Sequence, residues 1–407
     1  MTDNKAKKHI LVVSQYFYPE PFRISDMCAE WVKRGYKVTV LTGIPNYPYG
    51  KFFEGYGLFK RRRENYEGAD VIRIPLIARG KSRLGMCLNY ISFVISGFFW
   101  QRFTRQRADM VLNFGLSPMT QALPGVWFAQ RRKIPCWLYV QDLWPESVET
   151  VSGIHSKLVL GPIGKMVNYI YHHCDKIFVT SHSFVKMVQA RIPDEADKVD
   201  YWPQYAEDFY RPAEEKNREL IPDDGRFKVI FTGNVGLAQG LEILPETAAL
   251  LKKSGADAEF VIVGDGRGKY ALKERIRELG VEDMFNLIGR QRAEDIPALL
   301  AACDAAFISF MNTTLFATTI PAKLQSYMAC GMPILASVTG ETERIVREAD
   351  CGIVSPLGDA AALADAVQLL MRDGRIEEYG KNARAYFEAH FEKKMLLDYF
   401  DSCVEKL

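Results

Sequence analysis

One pattern, repeated along the chain, constrains its fold more than any other feature. A short, almost wholly apolar run is followed by a loop and then by a helical stretch. In the first half these runs lie at 9–14, 37–42, 71–75, 110–113, 136–140 and 176–180. A charged, irregular tract at 206–226 intervenes. A second series then places runs at 229–232, 259–263, 285–288, 305–309, 334–337 and 351–354. Apolar runs without polar alternation are those of strands buried on both faces. Strands separated by helices pair in parallel through right-handed crossovers. The fold class is therefore α/β. A chain of 407 residues also exceeds what one core holds. The expected division is 1–205 and 227–385 as two doubly wound domains with 206–226 as the linker. The C-terminal helices of 386–407 would be free to pack back on the first domain. Their last stretch is amphipathic through Met395, Leu396, Tyr399, Phe400, Cys403 and Val404.

Composition enters through charge and cysteine. The net charge of +2 conceals an asymmetry: residues 1–135 carry 22 basic and 9 acidic side chains, the remainder 30 and 41. A basic half beside an acidic half suggests an anionic partner for the first, either nucleic acid or an anionic membrane surface. The 8 cysteines show no paired spacing, which argues for reduced thiols and against a disulfide framework or a zinc site. The polar start at 1–8 leads straight into a strand and predicts no signal peptide. The most apolar segment, 84–100, contains Asn89, Ser92 and Ser96. It is marginal as a membrane span. Basic residues flank it, with Lys60, Arg61, Arg62, Arg63, Arg79, Lys81 and Arg83 before and Arg102, Arg105 and Arg107 after. Two readings stand: a helix in the membrane interface, or a core-facing helix with solvated charges at its ends.

The chemistry-bearing loops follow the strands. Val140-Gln141-Asp142 puts an acid just past a strand end, where α/β sites lie. In the second series, the loops Gly233–Gly240 and Gly264-Asp265-Gly266 are rich in glycine. The stretch 313–331 reads as a loop feeding a buried helix. Thr319 is the expected cap, Pro321 falls in the first turn, and Leu324, Tyr327 and Met328 form an apolar stripe. Lys323 would stand at the opening of that helix, where unpaired N–H groups attract anions. The alternative is an ordinary crossover helix. The sequence contains no Walker A loop, no nucleophile elbow and no metal-ligand spacing among its 6 histidines. Asp194-Glu195-Ala196-Asp197 matches a helicase box, but without a phosphate loop it is a coincidence.

Several markers together resemble the family 4 glycosyltransferases. They are Tyr18-Pro19-Glu20, Phe231-Thr232-Gly233, Val261 to Gly266, and Met328-Ala329-Cys330-Gly331-Met332-Pro333. The branch of bacterial O-antigen and colanic acid enzymes, including L-fucosaminyltransferases, is similar in Pro45-Asn46-Tyr47-Pro48, Gln141-Asp142-Leu143-Trp144-Pro145-Glu146, Gly233-Asn234-Val235-Gly236 and Thr318-Thr319-Ile320-Pro321-Ala322-Lys323. The resemblance implies the GT-B architecture: two Rossmann-like domains facing across a cleft. It implies a retaining transferase that uses a nucleotide-sugar, a UDP-sugar by preference, without a covalent enzyme intermediate. The acceptor implied is an undecaprenyl-diphosphate-linked saccharide of O-antigen, lipopolysaccharide, capsule or exopolysaccharide. An N-acetylated deoxyhexosamine such as FucNAc is the implied sugar. The enzyme would be cytoplasmic and peripheral on the inner face of the plasma membrane. No metal or other cofactor and no nucleic-acid partner are expected.

The resemblance also assigns residues. The donor side would be Gly233, Asn234, Gln239, Gly264, Asp265, Gly266, Arg290, Thr318, Thr319, Ile320, Lys323 and Ser326. The acceptor loops would supply Tyr18, Glu20, Arg23 and Asn46. Asp142 and Lys323 are the expected catalytic residues, and Arg61, Arg62, Arg63 and segment 84–100 the membrane contacts. Three departures bear on this. Asn234 and Gln239 stand where many members carry an Arg and a Lys on the diphosphate. Thr318 and Ser326 stand where many carry two acids. Phe22 and Arg23 replace the usual glycine pair of the first loop. Neutralising the phosphates would then fall to Lys323, the amides around Thr319 and Arg23. A UDP-sugar 2-epimerase of the same architecture, or a non-catalytic nucleotide-binding protein, remains as an alternative.

Overall fold

A computed structural model describes residues 7–407; the first residues of the polar start, 1–6, lie outside the described residues. The chain forms two compact units, Met1–Trp202 and Pro203–Leu407. Both are parallel α/β sheets of the Rossmann-like kind, as the strand spacing implies.

The first unit holds strands β1 (His9–Val13), β2 (Lys37–Gly43), β3 (Arg63–Tyr66), β4 (Ala69–Ile74), β5 (Met110–Gly115), β6 (Cys136–Val140), β7 (Lys176–Val179) and β8 (Val199–Tyr201), ordered β3-β4-β2-β1-β5-β6-β7-β8. All neighbours are parallel except β3, which runs antiparallel to β4. Sequence periodicity misses β3 because it is a short, charged edge strand, and charge on an edge discourages further pairing. The basic run thus starts a hairpin. Arg62 donates through Nη1 to the Leu58 carbonyl (2.9 Å) and through Nε to that of Arg73, and Arg61 lies over the Tyr56 ring. Arg62 is therefore built into the hairpin, while Arg61 and Arg63 are exposed.

The apolar segment is a helix, Arg83–Phe103, whose N-terminus is capped by Ser82 accepting from the Gly85 N–H (3.0 Å). Only Asn89, Phe93, Gly97 and Gln101 are buried, a stripe at intervals of four residues. Gly97 lets the helix lie close on the helix Leu123–Arg132, since a Cβ there would stand 2.3 Å from Pro124 Cγ. Leu84, Leu88, Ile91, Ile95, Phe98, Phe99 and Phe103 are exposed. The arrangement departs from the core-facing reading. A narrow stripe packs on the unit and a broad apolar face is left open. Among the described residues this helix alone is long and apolar enough to cross a membrane by length and composition.

The second unit holds β9 (Phe227–Thr232), β10 (Ala258–Val263), β11 (Phe285–Ile288), β12 (Ala305–Ser309), β13 (Ile334–Ser337) and β14 (Gly352–Ser355), all parallel, ordered β11-β10-β9-β12-β13-β14. Its core includes Phe231, Leu244, Leu251, Phe260, Phe307 and Val367. The 206–226 tract is irregular but is laid on this unit. Asn217 N–H donates to the Ala298 carbonyl (3.0 Å), Asn286 Nδ2 donates to that of Leu220 (2.8 Å), and Ile221 is buried. The last helix, Lys393–Val404, belongs to the same unit, with Lys393 Nζ 2.9 Å from Asp208 Oδ2.

In each sheet the strand order reverses at one point, between β1 and β5 and between β9 and β12. Ligand sites in open α/β sheets form beyond the carboxyl ends of strands at such points, because the flanking loops diverge there. Most of the residues singled out from sequence lie on loops near these two points.

Candidate active site

At the second reversal the strands part early. β12 pairs with β9 only at Ala305–Val229 and Ala306–Ile230. The Thr232 N–H, two residues beyond the last of these pairs, donates to the Tyr327 hydroxyl (2.8 Å), with Thr232 Oγ1 3.2 Å from the same atom. Tyr327 belongs to the helix Ala322–Ala329, so its hydroxyl fixes that helix against the end of β9. Helix geometry puts Lys323 on the same face one turn earlier.

The helix starts differently from the sequence expectation. Pro321 is itself the cap residue, with extended backbone, and helical structure begins at Ala322. Thr319 cannot cap it because a short helix, Thr314–Ala317, capped by Thr313, precedes it. The Thr318 and Thr319 hydroxyls both donate to the Leu315 carbonyl, at 2.7 and 3.0 Å. Their N–H groups are engaged as well, on the carbonyls of Leu315 and Phe316. Ile320 is buried, and the Ser326 hydroxyl donates to its own helix at the Ala322 carbonyl (3.2 Å). An anion at this point would therefore meet the first N–H groups of the helix, those of Ala322 and Lys323, which have no carbonyl of the helix behind them.

Lys323 is the centre of the arrangement. Its Nζ lies 3.7 Å from the centroid of the Phe231 ring and donates to Gln239 Oε1. It stands close to Gly233, where a Cβ would lie 3.9 Å from Nζ. Burial pushes its pKa down from 10.5 to about 7, and no carboxylate opposes that effect. A half-buried lysine lacking an acidic partner attracts an anion, because a bound anion restores the charge that burial disfavours.

Two glycine loops close around it. Gly264 has φ +146°, and a Cβ there would stand 1.8 Å from the Gly233 carbonyl oxygen. Gly266 is equally confined, with a Cβ position 2.2 Å from the Val235 carbonyl oxygen and 2.8 Å from Asn234 Oδ1. The Val235 N–H donates to the Asp265 carbonyl and the Gly268 N–H to that of Val235, both at 2.9 Å. Asn234, Gln239 and Asp265 are thus gathered with Lys323 on touching loops. Arg290 lies exposed beyond β11, whose Ile288 carbonyl accepts from the Gly264 N–H (3.2 Å).

In the first unit, Asp142 follows β6. Its Oδ2 accepts from the Ser117 N–H (2.8 Å), and Trp144 Nε1 donates to Ser117 Oγ (3.0 Å). Burial raises its pKa, and the Ser117 bonds oppose the rise. Tyr90, from the helix Arg83–Phe103, lies within electrostatic reach of Asp142. Glu20 and Asn46 are engaged otherwise. Glu20 is buried and accepts from the N–H groups of Asn46 (2.8 Å), Tyr47 (2.7 Å) and Phe17 (3.2 Å), and burial pushes its pKa up to about 7. Asn46 Oδ1 accepts from the Arg79 N–H (3.0 Å), and Nδ2 donates to the Ile44 carbonyl (2.9 Å). These two clamp one loop to another. Tyr18 is exposed with its ring against Tyr66, and Arg23 sits half-buried before the helix Ile24–Lys33. The acids of the helicase-like box play no part: Glu195 pairs with His172 at 2.8 Å.

Sequence reasoning did not find roles for Tyr327, Phe231 and Ser117. Tyr327 and Phe231 carry ordinary core signals, and Ser117 has no spacing that ties it to Asp142.

Comparison with known proteins bears on both units. The family model described as Glycosyl transferases group 1 matches residues 212–386, and the Glycosyl transferase 4-like domain matches 22–203. WcaI of Escherichia coli (strain K12), assigned to colanic acid biosynthesis as a glycosyl transferase, is 26% identical over 96% of this chain and 98% of its own length. Sucrose-phosphate synthase of Thermosynechococcus elongatus superposes with a TM-score of 0.76 at 15% identity, covering 98% of this chain and 99% of that one. HepE of Anabaena, solved in complex with UDP, gives 0.71 at 16% identity and covers 98% and 100%. The two structures share the GT-B fold with this chain. With one transferase domain matched in each half, the chain belongs to the family 4 glycosyltransferases of GT-B fold.

Proposed function

We propose that this enzyme moves a sugar from a UDP-sugar to an undecaprenyl-diphosphate-linked saccharide, with retention of configuration, in the assembly of a bacterial surface polysaccharide. The observation that carries the reading is Lys323: a half-buried ammonium without an acidic partner, beside two glycine loops at a sheet reversal. That environment suits a diphosphate leaving group. WcaI supports the polysaccharide context, and the UDP complex of HepE supports the nucleotide. An N-acetylated deoxyhexosamine such as FucNAc fits the branch resembled.

In this reading the bond between the anomeric carbon and the diphosphate oxygen breaks first. Lys323 and the amides of Ala322 and Lys323 stabilise the charge left on the diphosphate. The acceptor hydroxyl oxygen then bonds the anomeric carbon on the face the diphosphate leaves, and its proton passes to a leaving phosphate oxygen. No enzyme nucleophile is needed. Lys323 supplies cationic charge at the diphosphate, so the transfer is proposed to run without a metal. Asp142, held by Ser117, orients the acceptor. The open face of the helix Arg83–Phe103, with basic residues at both ends, rests on the anionic leaflet that carries the acceptor. That would make the enzyme a peripheral protein on the cytoplasmic side of the plasma membrane.

The test is a panel of UDP-sugars assayed against a lipid-diphosphate-GlcNAc acceptor. Sugar transfer from one donor is expected, with release of UDP. Interconversion of a free UDP-sugar in the absence of acceptor would instead identify an epimerase and overturn the reading. Ile91→Asp with Ile95→Asp should abolish co-sedimentation with phosphatidylserine-containing vesicles while sparing UDP binding. Undiminished co-sedimentation would remove this helix from the membrane contact.

A further inference from the structure

We propose that Phe231 is a positioning residue for the transfer reaction: the face of its ring, supported by the Gln239 side-chain oxygen, holds the Lys323 ammonium at the donor site in the role a carboxylate usually fills beside a buried lysine. The inference rests on the reading that Lys323 meets the donor diphosphate.

The geometry is specific. The ammonium nitrogen stands 3.7 Å from the ring centroid, well inside the range in which an aromatic face attracts a cation. Its direct hydrogen bond goes to a neutral amide oxygen, that of Gln239. The Gln239 carbonyl in turn accepts from Ser309 Oγ (2.5 Å) at the end of β12. Phe231 is fully buried in the core of the second unit. The next residue, Thr232, is tied through its N–H to Tyr327, one turn along the helix that carries Lys323. Ring and lysine are therefore fixed to each other through a single hydroxyl. The parting of β9 from β12 after Ile230 makes room for this contact.

The choice of partner has a chemical consequence. A carboxylate would hold the ammonium firmly but would cancel its charge and repel a diphosphate. A ring face and an amide oxygen hold it while leaving the positive charge available. No charged group of β9, of the loop after it or of the lysine's own helix contributes to the depressed proton affinity, which burial alone produces. The ring's attraction for the cation opposes that depression. Weakening the ring should lower the proton affinity of Lys323 further while leaving the packing unchanged.

The experiment replaces Phe231 in the full chain by 4-fluoro-, 3,5-difluoro- and 3,4,5-trifluorophenylalanine, which drain the ring face stepwise at nearly constant shape. UDP affinity is measured from pH 6 to 9. At pH 6, where Lys323 is already charged, the dissociation constant should stay within about twofold of the parent across the series. The pH above which affinity starts to fall should move down with each fluorine, so that the trifluoro variant binds about tenfold more weakly at pH 8.5. A breakpoint that does not move overturns the proposal. So does a loss that is equal at every pH, which would mark a packing defect. Lys323→Ala separates the two levels. If it leaves UDP binding intact, the donor-site reading itself fails. If it abolishes binding while the fluorinated series shows no shift, only the role of Phe231 fails.

Discussion

If Lys323 meets the donor as an ammonium, UDP binding must draw a proton from solution. With burial holding its pKa at about 7, roughly a tenth of free enzyme carries the charge at pH 8. In the complex the diphosphate restores the charge, so about 0.9 proton is taken up per UDP bound at pH 8. The affinity follows the charged fraction. It should fall about tenfold per unit above pH 7, or about 50-fold between pH 7 and 9. At pH 8 the terminal phosphate of UDP, with its second pKa at about 6, is almost fully ionised and contributes little to the proton count. The assay is isothermal titration calorimetry at pH 8 in three buffers of different ionisation enthalpy, where the slope of apparent enthalpy against buffer enthalpy counts the protons. Lys323→Met should bind weakly with no uptake. A slope of zero for the parent protein at pH 8, or an undiminished slope in Lys323→Met, would refute the reasoning. The same group affects stability in a defined direction. Its folded pKa lies below the unfolded 10.5, so the unfolded chain holds more protons between pH 7 and 10.5. Its contribution to stability therefore rises with pH across that window and is most unfavourable below pH 7.

Other expectations follow from single contacts. Gly264→Ala would set a methyl group 1.8 Å from the Gly233 carbonyl oxygen at a φ side chains avoid, so UDP binding should be lost with the fold retained by circular dichroism. Tyr327→Phe leaves the buried Thr232 N–H without its acceptor, a loss of about 1–3 kcal/mol in denaturant unfolding. A change within error would mean that water replaces the hydroxyl. Glu20, raised from 4.5 to about 7, stays protonated longer in the folded than in the unfolded chain. Its favourable contribution is complete below pH 4.5 and is lost as pH rises through 7, about 3 kcal/mol in all. Glu20→Gln should flatten that part of the stability profile, and an unchanged slope would exclude this carboxyl as its source.

The sequence by itself determined the architecture. Uninterrupted apolar runs separated by helices permit little other than parallel sheets, and each of the twelve runs read from it overlaps a strand. It also determined the lysine and the glycine loops, because close backbone approach demands glycine and leaves that mark in the sequence. Gly264 and Gly266 illustrate this, each pressed against a carbonyl of the neighbouring loop. Edge strand β3 escaped notice because its charges follow from being an edge, and the basic run before it could not be told from a free cationic patch.

Tertiary structure decided what each side chain is engaged in. Thr318 and Thr319 have the composition of a cap and phosphate loop, yet a short preceding helix takes their hydroxyls and N–H groups. Glu20 and Asn46 look like site residues on a strand-end loop, yet they clamp backbone. The environment of Lys323 was equally hidden. Phe231, Gln239 and Tyr327 lie 92, 84 and 4 positions from it in the chain, and only the early parting of β9 and β12 brings them to one point. Burial, charge and hydrogen-bond partners are properties of that convergence. A pattern along the chain names the residues, and the packing of distant segments sets what they can do.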